Sequence, residues 1–196
     1  MLRGIDHINL VVSDLERSVR FYTGVLGFRK TADVVMEGAW IEEIIGLRGV
    51  RGLVAFVEAP GGGPRIELLQ YVAPAGAILP ENSRANTHGL RHLAFRVDDI
   101  AAMAARLRDA GVTLFSDPVR VPAGVVKFAA GDKTLLYFLD PDGMTLEYSF
   151  GMEEFDEFDP RPPAVLEPRP ENFDTWGSPL DPRFASVGEI QESPTA

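Results

Sequence analysis

The sequence predicts an α+β fold made of two βαβββ modules, with an extended arm at the C-terminal end. The stretch IDHINLVVSDLERSVRFYTGVLGF, from Ile5 to Phe28, returns in most of its pattern from Arg91 as RHLAFRVDDIAAMAARLRDAGVTLF, so that His7 answers to His92 and Asp14 to Asp99. Such an internal repeat means two copies of one supersecondary unit. Each copy is followed by alternating apolar and polar runs punctuated by Gly and Pro, which is strand chemistry. Beyond residue 150 the composition changes, and eight of the fifteen prolines lie there. Modules of roughly 70 to 80 residues are marginal alone, so the two should pack together. The expected divisions are residues 1–72 for the first module, 73–87 for a connector, 88–150 for the second module and 151–196 for the arm.

In the first strand Ile8, Leu10 and Val12 share one face and His7 and Asn9 the other, so one face meets the core and one lines something polar. Ser13 and Glu16 have the S-x-x-E spacing of a capping box for a helix that buries Leu15, Val19 and Tyr22. Gly24 or Gly27 ends it. Strands are expected over 28–37 and 50–58, with AWIEEIIGL between them as a short helix or a lid. A Gly-rich turn precedes RIELLQY, in which Ile66 and Leu68 oppose Glu67.

The residues from Val72 to Thr87 are rich in Pro, Ala and polar side chains and read as the connector. The second module repeats the plan. Leu93, Phe95 and Val97 form a core face opposite His92, Ala94 and Arg96. Asp98 caps a helix carrying Ile100, Met103, Ala104 and Leu107, and Gly111 closes it. Strands are expected over 112–115, 125–131 and 134–139. After the turn Asp140-Pro141-Asp142-Gly143 comes TLEYS, where Leu146 and Tyr148 oppose Glu147. Both modules thus end on a strand that holds a carboxylate away from the core. In the arm Phe155, Phe158, Phe173, Trp176 and Phe184 argue for docking on the body or on a second subunit, since disordered segments are usually poor in aromatics.

The formal net charge of −10 is unevenly spread. Met152 to Ala196 holds eleven acidic residues against three arginines, leaving the body almost neutral. No basic patch stands out, so nucleic acid is not an expected partner. No apolar run is long enough to span a membrane, and no charged segment leads into an apolar one near the start. A cytoplasmic setting is expected. The absence of cysteine removes thiolate chemistry and leaves nitrogen and oxygen as the only metal ligands.

His7, Glu67, His92 and Glu147 occupy the first and last strands of the two copies, each on the face that its strand does not bury. Modules paired by approximate twofold symmetry would gather two imidazoles and two carboxylates around a point. That donor set suits a divalent first-row metal such as Ni, Co, Zn, Mn or Fe, with positions left for a chelating substrate. One histidine in a strand is more often a surface residue. The joint recurrence of four ligand types at equivalent places is what singles these out.

The runs DHINLVVSDLERSVRFYTGVLGF, IELLQY, HLAFRVDD and YFLDPDGMTLEY resemble the vicinal oxygen chelate superfamily of glyoxalases, epimerases, extradiol dioxygenases and bleomycin-resistance proteins. The resemblance covers about Leu2 to Phe150. It implies paired modules forming a U-shaped mixed sheet around a central cavity, with His7, Glu67, His92 and Glu147 on the family's ligand positions. Two histidines with two glutamates are most similar to the glyoxalase and epimerase ligand set. The function this implies is isomerase or lyase chemistry on a small oxygen-chelating substrate through a metal-stabilised enediolate, with Glu147 or Glu67 as the base. The alternatives are an Fe(II)-dependent extradiol dioxygenase, with His88 or Tyr137 as acid/base beside the ligands, and a non-catalytic small-molecule binding protein of the bleomycin-resistance type. Trp40, Phe56, Phe128 and Phe138 are the candidates to line the substrate cavity. Lys127 and Arg96 are candidates for an anionic group. Unpaired sheet edges and the aromatic arm point to a homodimer.

Overall fold

A computed structural model describes residues 3–77, 88–115, 117–121 and 133–151. The expected strand over 125–131, Lys127, Phe128, most of the connector and nearly all of the arm lie outside the described residues. The chain divides into two compact units, Met1–Leu79 and Pro80–Ala196.

The first unit runs β1 (His7–Val11), α1 (Leu15–Arg20), a π-helical turn (Phe21–Val25), β2 (Arg29–Glu37), α2 (Ala39–Ile45), β3 (Arg51–Glu58) and β4 (Arg65–Ala73). Its sheet has the order β1-β4-β3-β2. β1 lies parallel to β4, which the crossover through α1 permits, and the remaining pairs are antiparallel. Helix α1 packs on β3 and β4. The sheet face it covers carries Leu10, Ala55, Val57, Ile66 and Leu68, all buried together with Phe21 and Tyr22 of the helical segment. The Leu15 amide donates to Gln70 Oε1 at 3.0 Å, which pins the start of the helix to that face. His7, Asn9, Phe56 and Glu67 have the opposite parity and stand on the other side of the sheet.

The N-cap of α1 is Asp14, not Ser13. Asp14 has extended dihedrals and its carboxylate accepts from the Arg17 amide at 2.9 Å, while Ser13 Oγ accepts from the Arg17 guanidinium. Helix α2 is the short helix expected after β2, and it ends at Gly46 in the left-handed region, φ 73°.

The second unit repeats the plan with β5 (His92–Arg96), α3 (Ile100–Asp109), β6 (Val119–Val121), β7 (Lys133–Leu139) and β8 (Thr145–Phe150). Its order is β5-β8-β7-β6, with β5 parallel to β8. Helix α3 packs on β7 and β8, and Leu107, Ala104, Leu136, Phe138, Leu146 and Tyr148 are buried. The cap is Asp99, whose carboxylate accepts from the Ala102 amide at 2.9 Å, rather than Asp98. Gly111, φ 71°, follows the helix as expected. The strand expected over 112–115 is reduced to a single bridge between Leu114 and Phe138, and β6 was not anticipated.

Among the described residues no helix is long and apolar enough to cross a membrane.

Candidate functional site

Both repeats place a histidine and a glutamate side by side through the same strand register. In the first unit His7 pairs with Arg65 and Asn9 with Glu67 across β1 and β4. In the second, His92 pairs with Thr145 and Ala94 with Glu147 across β5 and β8. Each histidine therefore stands two residues upstream of the position facing its glutamate, on the same side of the sheet. The outcome is His7 Nε2 at 3.5 Å from Glu67 Oε2, and His92 Nε2 at 3.3 Å from Glu147 Oε2.

These separations bear on a metal. Two ligands about 2.1 Å from one ion, subtending an octahedral or tetrahedral angle, lie about 3.0 to 3.4 Å from each other. The 3.3 Å pair falls within that range and the 3.5 Å pair just beyond it, so each is close to the spacing of two neighbouring positions of one coordination shell. Among the described residues no three His, Asp or Glu side chains gather as a metal-holding group. Each unit by itself supplies an imidazole and a carboxylate, half of the expected set.

The surroundings of the two pairs differ. In the first unit the Glu67 side chain is 16% exposed, and Glu67 Oε2 accepts from Asn9 Nδ2 at 2.8 Å. Behind His7, Nδ1 lies 2.8 Å from Asp6 Oδ2, and that same oxygen accepts from Arg65 Nη2 at 2.6 Å. The hydrogen bonds from His7 and then Arg65 hold the Asp6 carboxyl below the usual carboxylate range. The Phe56 ring meets His7 edge-on with centroids 6.0 Å apart, and the Arg65 guanidinium lies 4.9 Å from the Phe56 centroid.

In the second unit Glu147 is only 4% exposed. It lies on the face away from α3, as expected, but that face is not open at this point. Ser149, two residues along the strand and itself 5% exposed, donates a short hydrogen bond from Oγ to Glu147 Oε1. Tyr137, directly opposite Glu147 on β7, is hydrogen-bonded to it as well. Burial first, then the Glu147 charge and hydrogen bond, push the Tyr137 phenol above its ordinary range, so it stays a protonated donor. The Tyr137 ring also meets His92 edge-on, with centroids 5.8 Å apart. Tyr137 occupies in the second repeat the place that Phe56 holds in the first, each opposite its glutamate.

Of the expected lining residues, Phe56 is on the histidine face. Phe138 is not: it is fully buried, pairs with Leu146 and packs on Tyr148 at 4.7 Å between centroids, so it belongs to the core beneath α3. The reason is parity, since neighbouring residues of a strand face opposite ways and Tyr137 takes the polar side. Trp40 stands on α2, 56% exposed. His88 is exposed on the approach to β5. Asp6, Asn9 and Ser149, which the sequence does not single out, are hydrogen-bonded to His7, Glu67 and Glu147 respectively; Asn9 and Ser149 lie two residues from a ligand candidate and so share its face.

The Glyoxalase/Bleomycin resistance protein/Dioxygenase superfamily model matches residues 4–148. The chain is 32% identical over 147 residues to a 2-epi-5-epi-valiolone epimerase of Actinomyces sp., covering 73% of this chain and 76% of that protein. It is 32% identical over 152 residues to the protein YaeR of Escherichia coli (strain K12), covering 74% of this chain and 95% of that one. A crystal structure of a glyoxalase family protein from Bacillus cereus superposes with a TM-score of 0.65 at 23% identity, covering 78% of this chain and 97% of that chain, and shares the fold. With a family model spanning nearly all of both repeats, and with both sheets strung in the same order, the chain belongs to the Glyoxalase/Bleomycin resistance protein/Dioxygenase superfamily.

Proposed function

We propose that the chain is a divalent-metal-dependent isomerase or lyase that moves a proton at a carbon beside a carbonyl of a small, oxygen-chelating substrate, with His7, Glu67, His92 and Glu147 as the metal ligands. The observation that carries this is the repeated pair, imidazole nitrogen to carboxylate oxygen at 3.5 and 3.3 Å, produced twice by one register. The likeness to an epimerase supports proton transfer as the reaction type. When bound, a divalent cation supplies Lewis acidity toward adjacent substrate oxygens and acidifies the neighbouring C–H.

The chain's own residues then divide the remaining work. Glu147 is buried and held by Ser149 and Tyr137, so it cannot swing without leaving two donors unpaired in an enclosed place. It serves as a fixed ligand. Glu67 is more accessible and accepts a hydrogen bond from the exposed Asn9 amide, which suits it to take the substrate proton. A positioned base is worth about 10²- to 10⁴-fold in rate. Phe56 and Tyr137 each flank a histidine with a ring set edge-on to the imidazole, which helps to fix its orientation.

The test begins with elemental analysis of protein purified without added metal, followed by proton NMR of α-hydroxycarbonyl substrates in deuterated buffer. Deuterium uptake at the carbon beside the carbonyl, lost in Glu67→Gln, is expected. Oxygen consumption with catechols and no such exchange would replace this reading by ring cleavage. A protein that binds small molecules without any cation would replace it by a binding role.

A further inference from the structure

We propose that Asp6 is a positioning residue that fixes which nitrogen of His7 is free, an inference that rests on the reading of His7 as a metal ligand. A carboxylate only accepts hydrogen bonds. With Asp6 Oδ2 2.8 Å from Nδ1, the His7 proton belongs on Nδ1, and the Nε2 lone pair faces Glu67 Oε2 at 3.5 Å. That separation is longer than an N–H···O bond, whose range is about 2.7 to 3.2 Å. Two acceptors thus face each other without a proton between them, an arrangement that a cation completes.

Asp6 does not stand alone. Arg65, the cross-strand partner of His7, donates to the same Asp6 oxygen at 2.6 Å. Its guanidinium is in turn seated on the Phe56 ring, whose neighbour is His7. Asp6, Arg65, Phe56 and His7 therefore close a circuit around the imidazole. The repeat shows that the fold does not require this. Arg91 takes the place of Asp6 before His92, and Thr145 takes the place of Arg65. Nor is folding the reason for it, because the Asp6 side chain is 73% exposed and exposed ion pairs add little stability. What the contact does supply is orientation. Partners behind a ligating histidine set its tautomer, and their loss typically lowers metal affinity about 10- to 100-fold.

The experiment uses the full chain. Long-range ¹H–¹⁵N NMR of metal-free protein at alkaline pH, with the His7 ring assigned by its loss in His7→Gln, is expected to show a single Nδ1–H tautomer. In Asp6→Ala the ring should become a tautomer mixture at unchanged far-UV circular dichroism. Asp6→Asn, which retains an acceptor oxygen, should be intermediate. Calorimetric titration with Co²⁺ should then show an affinity loss of about 10- to 100-fold for Asp6→Ala. A wild-type ring that is mixed or protonated on Nε2, or an Asp6→Ala ring unchanged from wild type, overturns the proposal. A wild-type protein with the Nδ1–H tautomer that binds no Co²⁺ upholds the positioning by Asp6 and overturns the metal reading of the site instead.

Discussion

Removing the Ser149 hydroxyl should reveal how firmly Glu147 is held. Ser149→Ala deletes one donor to a carboxylate that is 4% exposed, at a residue itself 5% exposed. Water cannot easily take its place. A hydrogen bond to a charged group contributes about 1.5 to 3 kcal/mol. With a urea m-value of about 2 kcal/mol/M, the unfolding midpoint should fall by about 0.7 to 1.5 M. The same deletion in the first repeat, Asn9→Ala, removes a 2.8 Å bond to Glu67, but there the amide is exposed and water can replace it. About 0.5 kcal/mol or less is expected at such a surface position. Urea unfolding followed by circular dichroism gives the totals, and hydrogen exchange of the β8 amides localises the loss. Pairing Ser149→Ala with Glu147→Ala, which removes the acceptor altogether, in a double-mutant cycle isolates the contact. A coupling energy below about 0.5 kcal/mol, or an Asn9→Ala cost equal to that of Ser149→Ala, would refute the inference that burial makes Glu147 the anchored carboxylate.

Tyr148 is 2% exposed and its hydroxyl finds no partner among the described residues, so Tyr148→Phe should raise stability by about 1 kcal/mol. Burial raises the Tyr148 phenol above its ordinary range. Above about pH 10 the unfolded phenol therefore ionises while the folded one does not, and stability falls by about 1.4 kcal/mol per pH unit. Tyr148→Phe should reduce that alkaline slope, read from urea midpoints at pH 9 to 11. At the helix start, Asp99→Ala should cost about 1 kcal/mol and Asp98→Ala close to nothing, because only Asp99 accepts from the Ala102 amide. Tyr137→Phe keeps the ring edge-on to His92 but loses the donor to Glu147. Calorimetry should find Co²⁺ affinity down about tenfold or more.

Much of this was legible in the residues because strand parity and repetition are strong signals. His7, Glu67, His92 and Glu147 stand out by type and by equivalent place, and the shared register of β1 with β4 and of β5 with β8 puts each glutamate on the same side of its sheet as its histidine. Parity also explains the error at Phe138. Counting in steps of two places Phe138 with Leu136, on the core side, and leaves Tyr137 to face Glu147. The caps failed for another reason: Ser13 with Asp14, and Asp98 with Asp99, are adjacent residues of cap-forming type. Which one caps depends on the backbone dihedrals, extended at Asp14 and Asp99, and composition does not encode those. The burial of Glu147 was also out of reach, since alternation tells which face a side chain takes and not whether that face is covered.

Duplication explains why the two carboxylates share a position, and divergence explains why they need not share a role. The first repeat supports its pair from the rim with Asp6, Asn9 and Arg65, all open to solvent to some degree. The second supports its pair from within, through Ser149 and Tyr137. Shortening each carboxylate by one methylene separates the roles. Glu147→Asp draws the carboxylate back from the two enclosed hydroxyls and should cost both stability, by about 1 to 3 kcal/mol, and Co²⁺ affinity. Glu67→Asp should leave the urea midpoint within about 0.3 M of wild type, on the scale of an exposed substitution. Its effect should fall on kcat, since a base set back by one methylene no longer reaches the substrate proton. If instead Glu147→Asp is the variant that retains stability and loses turnover, the base is Glu147, and the contacts from Ser149 and Tyr137 aim it at the substrate in place of anchoring it.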